Sequence, residues 1–113
     1  MIVLSILALS DSKEYILCAE IWYKELPTQH FLPTNINIGI IVCGHRHGHC
    51  IDIVKMLSGL RTVQISPDGV GETEQGFLTN TNRFVGRQEA AVIAFSNGQI
   101  KETKETLFSE DLY

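Results

Sequence analysis

Three cysteines, three prolines and one tryptophan are spread over 113 residues, and no apolar run approaches the roughly twenty residues that span a bilayer. Each scarcity excludes something. Cys18, Cys43 and Cys50 are too few and odd in number for the disulfide framework of a small secreted domain. Nine Lys and Arg against thirteen Asp and Glu give a net charge of -4. That leaves no general basic face for a nucleic-acid polymer, which must displace counterions from phosphates. Met1 to Leu9 is apolar, yet no basic residue precedes it and no small-residue cleavage site follows, which argues against a secretory signal. Internal repeats and low-complexity tracts are missing. The expectation is a cytoplasmic protein that engages neither membrane nor nucleic-acid polymer.

What is present is an ordinary core-forming composition, 44% apolar, in a chain short enough for a single domain over residues 1–113. A chain of this size buries only about two-thirds of its unfolded surface, which favours stabilisation by self-association. Ile2 to Leu9 and Tyr15 to Trp22 read as an N-terminal β-hairpin around Ser10-Asp11-Ser12. Pro27 and Pro33 mark an irregular, mobile loop between Lys24 and Asn35. Ile36 to Cys43 reads as a third strand ended by Gly44. Cys50, Ile53, Val54 and Leu57 give the stripe of a short helix over about 49–58. Arg61 to Ser66 reads as a further strand, with a turn at Pro67-Asp68-Gly69. Glu74 to Val85 reads as two extended pieces around a polar turn. A second helix follows over about 87–97, with Gly98 as its left-handed terminator. The apolar-acidic end from Leu107 is expected to dock. The class is α+β, with a small, mainly antiparallel sheet.

Two stretches carry candidate chemistry. In Cys43-Gly44-His45-Arg46-His47-Gly48-His49-Cys50, a turn leads into a helix N-terminus. Free backbone N–H groups, the positive helix end and the Arg46 guanidinium together suit an anion. The same stretch offers two thiols and three imidazoles, the donor types zinc prefers, but without paired-ligand spacing. A thiol nucleophile at Cys43 or Cys50 is a third reading, although no base and orienting partner can be placed. Glu110 and Asp111 are no catalytic pair. The second stretch, Gly76 to Arg87, holds Phe77 and Phe84 with amides, hydroxyls and Arg83 and Arg87. A purine needs a flat face and amide-like edge partners, and a phosphate needs guanidinium groups. The plainer reading makes both phenylalanines core and pairs the arginines with Glu89 or the acidic tail.

Gly44-His45-Arg46-His47 with Cys50-Ile51, Gln75 to Thr79, Arg83 to Ala90, Asn97 to Ile100 and Leu107 to Tyr113 occur in an order that resembles a family of small phage proteins. That family is the first class of Thoeris anti-defence sponges, and the resemblance covers residues 38 to 113. It implies a phage protein acting in the infected host's cytoplasm, which sequesters a cyclic ADP-ribose-type immune signal without degrading it. It also implies that cyclic oligonucleotide signals of CBASS are held in a separate pocket, and that the chain forms homo-oligomers, with hexamers built from dimers. Aromatic stacking on the base and arginines on the phosphates carry over as Phe77 with Arg83, Arg87 and Arg46. Gly86 departs from the pattern, standing where a polar capping side chain is expected.

The candidate ligand-binding set is therefore Arg46, His47, Phe77, Thr79, Asn82, Arg83 and Arg87, with no catalytic residue, no metal and no cofactor. The alternatives are a small hydrolase or metal-binding protein using His45, His47, His49, Cys43 and Cys50, or an interaction module with no small ligand.

Overall fold

The computed structural model describes residues 14–59 and 71–112. Four strands form one antiparallel sheet: β1 (Ile16–Tyr23), β2 (Ile40–Gly44), β3 (Thr73–Thr79) and β4 (Phe84–Gly86), in the spatial order β2-β1-β3-β4. Helices α1 (His47–Gly59) and α2 (Arg87–Ser96) and a 3-10 turn at Ser109–Asp111 complete the described chain. This is the expected small α+β domain.

β1 is central because both of its faces are covered. Ala19, Ile21 and Tyr23 alternate onto one face and meet the helices, while Trp22 packs on the other with Ile36, Ile41 and Phe84. An extra residue on β1 between Ile16 and Cys18 shifts the pairing with β3. It turns Ile16 back toward the helix side, where it joins Ala19, Phe77 and Val85 in the core, and leaves Leu17 exposed. α1 buries Cys50 and Val54 against Ile21, Tyr23 and Val42. α2 buries Ala90, Ala91 and Ala94 against Ala19, Phe77 and Val85. Both helices thus lie on one face, and alanines let α2 approach the sheet closely.

Gly76 stands opposite Gly86 in the β3–β4 pairing. A Cβ at Gly76 would lie 2.2 Å from the Val85 carbonyl oxygen and 2.7 Å from the Phe84 ring. Glycine there makes room for the Phe84 ring. At the other end of β3, Asn82 takes φ +62° to close the polar turn, a conformation asparagine tolerates.

Several expectations need correction. α1 starts at His47, earlier than about 49, because the Arg46 N–H donates to His49 Nδ1 and the His49 N–H to the Arg46 carbonyl, both at 3.0 Å. This reciprocal pair caps the first turn. α2 ends at Ser96, with Asn97 as C-cap and Gly98 at φ +86°. β2 starts at Ile40 rather than Ile36, since Ile36 turns aside to pack with Phe84. The Lys24–Asn35 loop is irregular but well tied. Gln29 accepts from the Ile41 N–H, and Asn35 exchanges hydrogen bonds with both the N–H and the carbonyl of Phe84. Of the expected hairpin, the second strand is β1, whereas Ile2 to Leu9 lies outside the described residues. Arg61 to Ser66 and the Pro67-Asp68-Gly69 turn lie outside them as well.

Candidate anion-binding cleft

α1 and α2 start close together. Arg87, the first residue of α2, extends its guanidinium across the start of α1, where Nη2 lies 3.4 Å from His47 Nδ1. His47 is buried, and its Nε2–H donates to the Gly76 carbonyl at 2.8 Å. That bond fixes the tautomer and leaves Nδ1 as an acceptor for Arg87. Burial pushes the imidazole pKa down, and the neighbouring Arg87 cation adds to the shift. His47 is therefore a neutral relay that orients Arg87, and neither ring nitrogen is left over for a ligand.

Arg87 also donates from Nη1 to the Leu107 carbonyl at 2.8 Å and from Nη2 to Gln75 Oε1. The Leu107 N–H donates back to the Arg87 carbonyl at 3.0 Å. The C-terminal segment is thereby docked as expected, with Leu107 and Ser109 buried. It lays the Phe108 ring 4.9 Å from the guanidinium carbon, with the ring 43% exposed. The 3-10 turn then brings the Glu110 carboxylate 3.8 Å from Arg46 Nη1, and both side chains are solvent-accessible. Gly86, the N-cap of α2, makes no side-chain capping bond. The departure noted in the sequence is thus real in the fold: the residue before α2 offers no side-chain acceptor to the helix's first-turn N–H groups.

A cavity of about 220 Å³ opens between α1 and β3, lined by Ile21, Tyr23, Ile51, Val54, Lys55, Thr73 and Gln75. Gln75 belongs both to this apolar slot and to the Arg87 contact set. Gln75 therefore links the aliphatic slot to the Arg87 guanidinium, while Arg46 and Glu110 meet beside it at the start of α1.

The remaining sequence candidates lie elsewhere. Phe77 is 0% exposed, with its ring nearly perpendicular to that of His47 and packed in one core cluster with Ala19 and Val85. It presents no face to a ligand, which corrects its assignment as the stacking residue. Phe84 is buried too, 5.9 Å from the Trp22 ring. Thr79 is fully buried and donates to Glu14 at 2.9 Å. Arg83 makes a two-pronged bond to Glu14, both prongs at 2.8 Å, and reaches Glu89 at 2.9 Å. The bonds from Arg83 hold the Glu14 carboxyl down at about 2. Arg83 and Thr79 thus form a clamp at the far end of β3, and Asn82 shapes its turn. The structure brings Arg46, His47 and Arg87 together and separates them from Thr79, Asn82 and Arg83. Gln75, Phe108 and Glu110 join the cleft although sequence reasoning did not select them as ligand residues. The apolar-acidic pattern after Thr106 was the available signal.

The three histidines of the turn are engaged separately: His47 with Gly76 and Arg87, His49 with the Arg46 backbone, and His45 6.2 Å from the His49 ring. Among the described residues, no group of three or more His, Cys, Asp or Glu side chains is placed to hold a metal ion. None of the described helices is long and apolar enough to cross a membrane.

Fold and site define the class as a small α+β protein in which Arg46, Arg87 and Glu110 gather where two helices begin. The model of the Phage T4 y16D protein family matches residues 15–113, and the chain belongs to that family of phage proteins. No curated protein and no solved structure matches it significantly.

Proposed function

We propose that this phage protein binds and sequesters a small anionic nucleotide, a cyclic ADP-ribose-type immune signal, without transforming it. The observation that carries the reading is the position of Gln75, which joins the aliphatic slot to the Arg87 guanidinium. A nucleotide needs those two environments side by side: an apolar slot with an amide for the base, and guanidiniums with open helix N–H groups for the phosphates. Phe108 replaces Phe77 as the accessible aromatic at the phosphate end. The reading also keeps the protein in the host cytoplasm, as a homo-oligomer that blunts host defence.

Sequestration rather than catalysis is favoured by the way the polar groups are used. His47 has both nitrogens committed, and burial pushes the Cys50 thiol up to about 11, away from nucleophilic chemistry. The test is calorimetry against cyclic ADP-ribose isomers and cyclic dinucleotides, followed by recovery of the ligand after heat denaturation. Tight binding, intact ligand and at least about tenfold weaker binding in Arg46→Ala are expected, the loss of one charge-assisted contact. Failure of every panel member to bind overturns the reading, and recovery of a cleaved product replaces it with a hydrolase.

A further inference from the structure

We propose that Cys18 and Cys43 are a redox-active dithiol that closes to a cross-strand disulfide under hydroperoxide, with Glu20 as the proton acceptor of the closing step. The three side chains lie on the sheet face opposite the helices. Glu20 pairs with Cys43 across β1 and β2, and Cys18 lies two residues before Glu20 on the same face. The Cys43 thiol donates to Glu20 Oε2 at 3.0 Å. The neighbouring Cys43 side chain, with the Gly44 backbone, pulls the Cys18 pKa below that of an ordinary thiol. The Cys43 hydrogen is held by Glu20, so Cys43 is the proton-bearing partner and Cys18, the more acidic thiol, the one that reacts first. Cys43 is exposed and Cys18 half-buried, whereas Cys50 is buried on the other face.

Glu20 is the feature that packing does not explain. It is 1% exposed, and its Oε1 has no hydrogen-bond partner. An orphaned buried carboxylate oxygen is costly in a sheet whose neighbouring positions are apolar. Its one partner is a thiol, so a proton held by Cys43 has a ready place to go. Burial raises the Glu20 carboxyl to about 7, close to the basicity needed to accept and return a proton near neutrality.

The chemistry balances. The Cys18 thiolate attacks the terminal oxygen of the hydroperoxide and breaks the O–O bond. Cys18 becomes a sulfenic acid, and the departing oxygen leaves as water or alcohol after protonation from solvent. Cys43 then passes its proton to Glu20 while its sulfur attacks the Cys18 sulfur. The S–S bond forms, hydroxide leaves and takes the proton from Glu20 as water. Two electrons pass from the thiol pair to the peroxide, and the carboxylate is regenerated.

The experiment treats the folded, full-length protein with hydrogen peroxide and follows intact mass and disulfide-linked peptides. Loss of two hydrogens, a linked Cys18–Cys43 peptide pair within one chain and reversal by dithiothreitol are expected. Cys43→Ser should stop at a sulfenic acid on Cys18 that dimedone traps. Glu20→Gln should slow closure at least about tenfold, while in the Cys43→Ser background it leaves dimedone trapping at the parent rate. Oxygen adducts on Cys43 without a cross-link, a bond involving Cys50 or a second chain, or closure of Glu20→Gln at the wild-type rate overturns the proposal. The wild-type cross-link decides the matter even if a variant folds poorly.

Discussion

Replacing Arg83 by methionine should destabilise the fold and spare ligand binding, which separates a clamp from a phosphate contact. In the native chain, Arg83 donates twice to Glu14 at 2.8 Å and once to Glu89 at 2.9 Å, and Glu14 also accepts from Thr79 and Thr81. Glu14 falls from an ordinary 4.5 to about 2, chiefly through the Arg83 hydrogen bonds. That displacement is equivalent to roughly 3 kcal/mol. The Arg83 side chain is about one-third exposed, so solvent screening reduces the loss to about 2 kcal/mol. For a domain of this size that is a fall of roughly 10 °C in Tm at pH 7. The sign with pH follows from the lowered value: the contribution is whole above pH 4.5 and disappears as pH falls toward 2. The gap between wild type and Arg83→Met should therefore close over that window in thermal melts read by circular dichroism. A gap undiminished at pH 2.5, or a Tm unchanged at pH 7, would refute the clamp. Lost nucleotide affinity at normal stability would return Arg83 to the binding site.

Phe77→Ala should cost about 3–5 kcal/mol, as expected for a fully buried aromatic, and chemical denaturation should register it as a structural loss rather than a binding defect. Glu20→Gln should reshape the pH profile of stability. The native carboxyl titrates at about 7 rather than 4.5, so wild-type stability falls as pH rises from 4.5 to about 7 and is level above. The variant lacks that fall, and its Tm relative to wild type should be higher at pH 8 than at pH 4.5.

Much of the architecture was readable because it rests on local periodicity. The apolar alternation of β1, the stripe of α1 and the run from Arg87 to Gly98 each announce an element. The misreadings have a common cause in side chains that serve the backbone. His47-Gly48 reads as a turn, yet the His49 imidazole caps the Arg46 N–H and admits these residues to α1. The Lys24–Asn35 loop reads as mobile from its prolines, whereas Gln29 and Asn35 fasten it to β2 and β4. Phe77 looked available because it neighbours polar turn residues. Strand alternation, which follows from the pairing of β3 with β1 opposite Ala19, sends it inward. The site was half legible: Arg46 and Arg87 carry the right chemistry, but their convergence depends on two helices beginning side by side. No spacing in the chain reports that.

The same convergence explains Glu110 and makes its role testable. Two positive helix ends and two guanidiniums attract an anion, and the Glu110 carboxylate stands 3.8 Å from Arg46 as a resident partner. At that distance, with side chains 40% and 64% exposed, the pair is worth between about 0 and 1 kcal/mol. A phosphate with more charge and more acceptors should displace it at little cost. Glu110→Gln should then tighten binding of an anionic nucleotide by up to about fivefold, with less than about 1 kcal/mol lost from stability, since Leu107, Phe108 and Asp111 keep their own tethers. Isothermal calorimetry beside a thermal melt measures both. Weaker binding at unchanged stability would make Glu110 a ligand contact, an acceptor for a hydroxyl or a base N–H, and the cleft would then recognise more than charge.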